Sequence, residues 1–345
     1  MYSDEVHSVG VLGASGYGGA ETLRLLAGHP DLEVVHVAAH SHVGVEVADL
    51  YPSLAPAYGG LVFEPIDAAG CDGLDLVVCA LPHGASQALV PELHKRVGCI
   101  VDLAADFRLK DPSLYPRWYG EAHTCPDLLA EAAFGLPELF RADLPGAALV
   151  AAPGCYVTAA ALALAPLVRS GAVEPTGVIV DAASGTSGAG RAPKDNLHAA
   201  HVDANFTAYG LLTHRHTPEI EQATGAQVLF TPHLAPMARG ILATVYARPA
   251  GGRATSTSTL LDLYRQTYAG EPFVVVSERS PATKATLGSN SCHLTARFDE
   301  RTGWVVAIAA LDNLVKGAAG QGIQCANLAL GLAETAGLPM VGTYP

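Results

Sequence analysis

The chain has 345 residues, half of them hydrophobic and only 15% charged, with a formal net charge of −13. That length suits two domains, each burying its own core. With no Lys/Arg block to offset the acidic balance and few aromatic residues, the composition argues against a nucleic-acid surface, and an anionic ligand would have to be a small molecule met by a local group of basic side chains.

Residues Met1 to Ser8 carry Asp4, Glu5 and His7 and lead directly into a strand, unlike a cleavable signal segment. Short apolar runs then alternate with helical patterns: Val9-Gly10-Val11-Leu12, Glu33 to Ala39, Leu74 to Ala80, Cys99 to Leu103 and Ala148 to Ala152 read as strands. Such alternation predicts a parallel sheet with crossover helices, a Rossmann-type α/β domain over residues 1–152. The first strand runs into Gly13-Ala14-Ser15-Gly16-Tyr17-Gly18-Gly19 and then into a helical stretch from Ala20 to Ala27. Glycines let the backbone approach a pyrophosphate and the helix start attracts its charge, so Gly13, Ser15, Gly16, Tyr17 and Gly18 are candidate cofactor contacts. A glycine turn alone also fits a plain tight turn; the order strand, turn, helix, strand favours the dinucleotide. The second strand ends at His40-Ser41-His42, with no acid for a ribose 2′-hydroxyl and with donors for a 2′-phosphate. NADP(H), held in part by Ser41, is therefore preferred to NAD.

Ala147 to Val168 is the one uncharged stretch long enough to consider as a membrane span. Its internal Pro-Gly and Pro166 break it into a strand and a short helix, so it reads as buried core. Pro153-Gly154-Cys155-Tyr156-Val157-Thr158 marks the break. There Cys155 stands at a strand-to-helix turn, where unpaired N–H groups and the partial positive charge of a helix start stabilise a thiolate. By position alone it is either a nucleophile or a small inert core residue. The seven cysteines (71, 79, 99, 125, 155, 292, 325) are odd in number and contain no Cys-x-x-Cys pair. Reduced thiols in the cytoplasm fit that pattern, rather than a disulfide framework or a zinc knuckle.

Beyond Cys155 the pattern turns to longer β-rich runs, Gly177 to Asp181, Ala226 to Phe230, Ile241 to Ala247, Phe273 to Ser277, Ser291 to Phe298 and Trp304 to Leu311. They predict an α+β catalytic and dimerisation domain with a mainly antiparallel sheet over residues 153–317. Pro249 to Ser258 reads as a Gly/Ser/Thr-rich loop. The helical pattern from Ala318 to Glu334 is expected to pack back on the first domain, so that 318–345 joins 1–152.

A thiol nucleophile needs a base that also donates a proton, and His214-Arg215-His216-Thr217-Pro218-Glu219-Ile220 offers one. With Thr217 as N-cap and Pro218 at the first helical position, His216 precedes a helix start, whose dipole keeps the ring in its neutral, proton-accepting form. Glu219 stands close enough to orient it. A His-x-His pair is also half of a metal site, with His198, His201 and Asp203 as further ligands, but no suitably spaced cysteine joins them and no metal is expected. Ser184-Gly185-Thr186-Ser187-Gly188-Ala189-Gly190-Arg191 follows a strand; it is either an oxyanion cradle of exposed backbone N–H groups or a flexible surface loop. Arg108, Arg191, Lys194, Arg215 and Arg239 are the basic candidates for a phosphate and a carboxylate.

Together these segments resemble the N-acetyl-gamma-glutamyl-phosphate reductase family of arginine biosynthesis, relatives of aspartate-semialdehyde dehydrogenase. The resemblance runs along nearly the whole chain. It includes Gly13 to Gly19, Ala80-Leu81-Pro82-His83-Gly84-Ala85-Ser86, Asp106-Phe107-Arg108, Gly135 to Leu139, Thr231 to Met237, Gly288-Ser289-Asn290 and Asp312 to Gln321. Pro-Gly-Cys-Tyr-x-Thr and His-Arg-His-x-Pro-Glu are its most specific parts.

The resemblance implies NADPH-dependent reduction of N-acetyl-glutamyl 5-phosphate to the 5-semialdehyde with release of phosphate, Cys155 forming a thioester and His216 serving as base. Arg108, Ser184, Arg191, Lys194, Arg215 and Glu219 would hold the substrate, and Pro82, His83, Ser187, Gly188, Asn313 and Lys316 would meet the cofactor, Asn313 to Gly317 lying at the nicotinamide. A cytoplasmic homodimer or homotetramer is implied as well. Two positions depart from the pattern: His40-Ser41-His42 stands where many members carry an Arg, and Gly322 replaces an alanine after Gln321, a change expected to matter little. The same chemistry on N-acetyl-aminoadipyl phosphate or aspartyl phosphate is the nearest alternative, although aspartate-semialdehyde dehydrogenases usually set the cysteine after Asn. A Cys-His hydrolase would need no cofactor loop.

Overall fold

The computed structural model describes residues 6–251 and 255–344. Residues 1–5 and the centre of the loop read from Pro249 to Ser258 lie outside them. The strands are β1 (His7–Leu12), β2 (Leu32–Ala38), β3 (Leu76–Cys79), β4 (Cys99–Asp102), β5 (Ala133–Phe134), β6 (Leu149–Ala151), β7 (Val178–Ser184), β8 (Thr207–Ala208), β9 (Val228–Leu234), β10 (Ile241–Ala247), β11 (Val274–Val276), β12 (Cys292–Asp299) and β13 (Trp304–Leu311). The longer helices are α1 (Tyr17–Leu26), α2 (Ala85–Leu93), α3 (Cys155–Arg169), α4 (His216–Thr224), α5 (Thr257–Thr267) and α6 (Gly320–Ala329). Described residues of 1–116, 120–153 and 318–338 form one compact unit, and those of 117–119, 154–317 and 339–345 the other.

In the first unit the strands are all parallel, in the order β2-β1-β3-β4-β6-β5. β3 and β4 are buried along their whole length, as strands covered on both faces must be, which is why β3 reads as a continuous apolar run and β4 as one up to Val101, ending in the buried Asp102. Strand order reverses between β1 and β3, so a crevice opens at their carboxyl ends, where folds of this kind take a dinucleotide. α6 packs on this sheet: Gln321 Nε2 donates to Gly135 O at 2.7 Å, and Asn327 Oδ1 lies 3.0 Å from His29 Nε2. A methyl at Gly322 would stand 2.8 Å from Leu103 Cδ2, so the Leu103 side chain fills the space that the expected alanine would need.

The second sheet runs β11-β12-β13-β10-β7-β9-β8. It is antiparallel except for β7–β9 and β11–β12, which are parallel. β7 and β10 alternate strictly between buried and half-buried positions, so one face carries the core and the other is partly open. α3 is buried from Tyr156 to Leu167, and its run of alanines suits close approach to β10 and β13.

The sequence suggested that Pro166 would end that helix, but α3 continues to Arg169. A proline leaves the carbonyl four residues earlier without its helical donor. Here that carbonyl belongs to Leu162, and the Tyr268 hydroxyl donates to it at 2.5 Å, while Tyr264 Oη donates to the neighbouring Ala163 O. Tyr268 thus repairs the break, with Tyr264 bracing the next carbonyl. The same device recurs in α2, where Pro91 leaves Gln87 O to the Cys125 thiol at 3.5 Å. No helix among the described residues is long and apolar enough to cross a membrane.

Candidate active site

The chain leaves β6 at Ala151 and enters α3 at Cys155 itself. Gly154 is the N-cap, with φ −63° and ψ 148°, a conformation open to any residue. Its glycine is needed for room: a methyl there would overlap the His216 imidazole, 2.6 Å from Cε1 and 2.7 Å from Cδ2. The Gly154 N–H donates to Glu219 Oε2 at 3.0 Å, tying the start of α3 to α4. On another side a methyl at Gly317 would stand 2.8 Å from Cys155 Cβ. The thiol is half-buried, and none of the seven cysteines forms a disulfide. Cys155, His216 and Glu219 therefore come together around one glycine. Glu219, expected to face a substrate, is fully buried and turned to the backbone instead.

The start of α4 differs from the expected one. His216 is its first residue, Arg215 is an N-cap without a side-chain bond, and Pro218 falls third. Proline is tolerated there because the first-turn N–H groups have no intrahelical partner anyway. His214 takes two of those donors: its Nδ1 accepts from His216 N–H at 3.2 Å and its carbonyl from Thr217 N–H at 3.0 Å. Burial, with the Arg215 charge adding to it, pushes the His214 imidazole down to about 4. Tyr156, whose phenol burial holds in the protonated form, donates to His233 O at 2.8 Å and accepts from Tyr209 Oη at 3.1 Å. Tyr209 is likewise pushed up, to about 12, by burial. These aromatic partners were missed in the sequence; Tyr156, inside the Pro-Gly-Cys-Tyr motif, was the signal available.

The Ser184–Arg191 loop is not an open cradle. N–H groups of Gly185, Thr186 and Ser187 donate to Gly240 O, Met237 O and Ala238 O at 2.9, 2.9 and 3.1 Å, and that of Gly188 turns back to Gly185 O at 3.1 Å. Ser184 is buried, its hydroxyl on Gly185 O at 3.0 Å, so it is no substrate contact either. Asn313 clamps the loop, donating from Nδ2 to Ser187 Oγ at 2.9 Å and accepting Gly240 N–H at Oδ1 at 2.7 Å. Lys316, expected at the nicotinamide, is wholly buried with its ammonium 5.7 Å from the Phe273 ring centre, which removes it from direct cofactor contact. Asp312 joins these turns, accepting from Gly288 N–H at 2.8 Å and Leu314 N–H at 2.9 Å and lying 3.6 Å from Arg239. Arg191, Lys194 and Arg215 are exposed, and the Arg215 guanidinium lies 5.8 Å from the Tyr119 ring centre.

In the first unit, Gly13 has φ +79°, and a methyl on it would meet the Ala80 carbonyl carbon at 2.8 Å. Gly19 packs as closely on Ala14, 2.5 Å from its Cα, bringing α1 down on β1. Gly16 caps α1, whose first turn carries no acid, a methyl at Gly18 would touch Ala80 Cβ at 3.9 Å, Tyr17 is exposed, and the Ser15 carbonyl accepts from Tyr51 Oη at 2.7 Å. This cradle fits a dinucleotide pyrophosphate. Ser41 is exposed beyond β2, its hydroxyl 3.0 Å from His42 Nδ1, and His42 adopts φ +77°. Pro82 is exposed and His83 pairs with the buried Asp106, which also accepts from Gly84 and Gln87 N–H groups at the start of α2. Arg108 is buried and donates to Leu103 O at 2.7 Å. Asp102, fully buried beside Ser86, is pushed up to about 7 by desolvation.

Residues 8–147 match the family described as semialdehyde dehydrogenase, NAD binding domain, and residues 155–313 the one described as semialdehyde dehydrogenase, dimerisation domain. Solved structures agree in fold: aspartate semialdehyde dehydrogenase II of Vibrio cholerae complexed with ASA has TM-score 0.70 at 15% identity, and the Candida albicans enzyme with NADP 0.68 at 16%, each covering 94% of this chain and 98% of the other. Fold and matched domains thus define a semialdehyde dehydrogenase. N-acetyl-gamma-glutamyl-phosphate reductases of Symbiobacterium thermophilum and of Picosynechococcus sp. are 49% and 46% identical over 98% and 100% of the chain and 99% and 100% of their own lengths. The chain belongs to the N-acetyl-gamma-glutamyl-phosphate reductase family.

Proposed function

We propose that the protein reduces N-acetyl-glutamyl 5-phosphate to N-acetyl-glutamate 5-semialdehyde with NADPH, releasing phosphate, through a thioester on Cys155. The supporting observation is the His216 ring seated in the slot left by Gly154, the residue before Cys155, in a chain nearly half identical to reductases of that name. His216 takes the thiol proton and Cys155 Sγ attacks the acyl carbon. The bond from that carbon to the phosphate oxygen breaks, phosphate leaves with the electron pair, and a thioester remains. Sulfur overlaps the carbonyl poorly, so its carbon stays electrophilic. When bound, the reduced nicotinamide supplies the hydride that this carbon accepts.

His216 protonates the developing oxygen at one stage and recovers the proton as the carbon–sulfur bond breaks, freeing the semialdehyde and the thiolate. α3 starts at Cys155, ahead of its first bond back to Gly154, Thr158 N–H to Gly154 O, and the helix start is proposed to stabilise the oxyanion. Oxyanion donors are worth roughly 3 kcal/mol each in other enzymes. Arg191, Lys194 and Arg215, all in the second unit, are the side chains proposed to meet the phosphate and carboxylate ends of the substrate.

The glycine cradle and the His40-Ser41-His42 segment support NADP(H), as does the NADP bound by the Candida relative. A homodimer or homotetramer in the cytoplasm completes the proposal, supported by the dimerisation-domain match and by the half-buried face of the second sheet. The deciding experiment is a panel of acyl phosphates and semialdehydes assayed with NADP(H), NAD(H) and phosphate. The five-carbon N-acetylated substrate with NADP(H) is expected to give the highest kcat/KM; a higher value for the aspartyl or aminoadipyl analogue would overturn the substrate assignment.

A further inference from the structure

His214 and His216 form the His-x-His pair, with His216 the proposed base. His214 stands two residues before the start of α4, and its polar contact and one of its ring contacts bear on His216. Its Nδ1 accepts the backbone N–H of His216 at 3.2 Å. This closes the same ring that an Asx-turn closes, a side-chain acceptor taking the N–H two residues on. The His214 ring meets the His216 ring edge to face, centres 4.7 Å apart at 73°, and it is packed edge-on by Tyr156, Tyr209 and Phe230 at 5.8, 5.5 and 5.4 Å. Tyr156 also borders His216, at 5.8 Å.

His216 is thus confined between the bare Cα of Gly154 on one side and an aromatic wall that includes His214. We infer that His214 is a positioning residue: its ring nitrogen fixes the backbone at the start of α4, and its ring face holds the His216 imidazole over the Gly154–Cys155 turn. This rests on the reading of Cys155 and His216 as nucleophile and base.

An acceptor at Nδ1 requires a ring without a proton there. The groups facing His214 are Arg215, His216, Tyr156 and Tyr209. Burial and the Arg215 charge keep the ring neutral above about pH 4, so the bond persists through the neutral range in which His216 must gain and lose a proton.

The test separates the two contributions. His214→Asn keeps an acceptor for the His216 N–H and loses the wall; His214→Phe keeps the wall and loses the acceptor; His214→Leu loses both. Each variant is measured for kcat, for KM of the acyl phosphate, for NADPH binding by fluorescence, and for the pH dependence of Cys155 alkylation by iodoacetamide followed at the Cys155 peptide. His214→Leu is expected to lower kcat between about tenfold and a hundredfold, the cost of a misplaced catalytic group. It should also move the rise of Cys155 alkylation to higher pH and leave NADPH binding intact, with His214→Asn and His214→Phe each recovering part of the loss.

Unchanged kcat and an unchanged alkylation profile in His214→Leu overturn the inference. If that variant does not fold, the same result in both Asn and Phe variants overturns it. His216→Asn is run alongside: if it keeps full turnover the base assignment itself has failed, whereas loss there with an unaffected His214→Leu refutes only the positioning role.

Discussion

The backbone N–H of Gly154 donates to Glu219 Oε2 at 3.0 Å, and both residues are buried. A carboxylate 65 positions away in sequence therefore sets the turn that presents the nucleophile. Glu219→Ala strips the acceptor from a buried donor, which costs about 1–3 kcal/mol. Denaturant unfolding should show a loss of that size, with turnover reduced as well. Glu219→Gln keeps an acceptor oxygen and is expected to retain most of the stability; an equal loss in both variants would show that charge, not the hydrogen bond, holds the turn.

Gly154→Ala is a cleaner probe of the base than any change at His216. The backbone at Gly154 accepts alanine without strain, so the added methyl acts only by evicting the imidazole it would overlap. The variant is expected to fold and to bind NADPH as the parent does, while kcat falls on the order of a hundredfold. Turnover within a factor of about two of the parent would mean that His216 does not serve from this position.

Cys155→Ala is expected to abolish phosphate-dependent reduction of NADP by the semialdehyde while leaving NADPH binding intact. Steady-state rates together with fluorescence titration check both halves. Residual thioester-type turnover in that variant would remove the mechanism.

Asp102 gives a prediction of the opposite kind, on stability. Its carboxyl is raised to about 7 by full burial, so between about pH 4 and 7 the folded protein holds a proton that the unfolded chain has lost. Stability from this group therefore falls as pH rises through that window, by at most about 1.4 kcal/mol per pH unit. Asp102→Asn keeps an oxygen for Ser86 Oγ and Ala104 N–H, which Asp102 Oδ1 now accepts at 2.8 and 3.0 Å. Its stability relative to the parent should rise steadily from pH 4 to 7 in denaturant titrations; a flat difference would place the Asp102 carboxyl at an ordinary value.

Much of the scaffold was legible because it rests on local pattern. The glycine turn after β1, the alternation of β7 and β10 and the strand-to-helix break at Pro153-Gly154 all show their period or punctuation in the sequence. Ile241–Ala247 and Trp304–Leu311 begin and end where the apolar runs do. What was misread depends on partners far along the chain. The N–H groups from Gly185 to Gly190 looked like free donors, but the fold brings the Met237, Ala238 and Gly240 carbonyls to those of Gly185, Thr186 and Ser187, and those of Gly188 and Gly190 turn back within the loop. Lys316 was placed at the cofactor by the resemblance of Asn313 to Gly317 to a nicotinamide segment, and its burial against Phe273 has no local signature. Pro166 looked like a stop because the tyrosine that repairs its missing hydrogen bond comes 102 residues later.

The close fit of the His216 ring against Gly154 also defines what guest could take its place. Shortening His216 to glycine would open an aromatic-walled recess of imidazole shape bordered by Gly154, His214 and Tyr156. Such a recess is built to admit imidazole or 4-methylimidazole from solution, so an enzyme silenced by His216→Gly should regain turnover saturably with added imidazole, while bulkier N-alkylated bases of similar basicity are turned away.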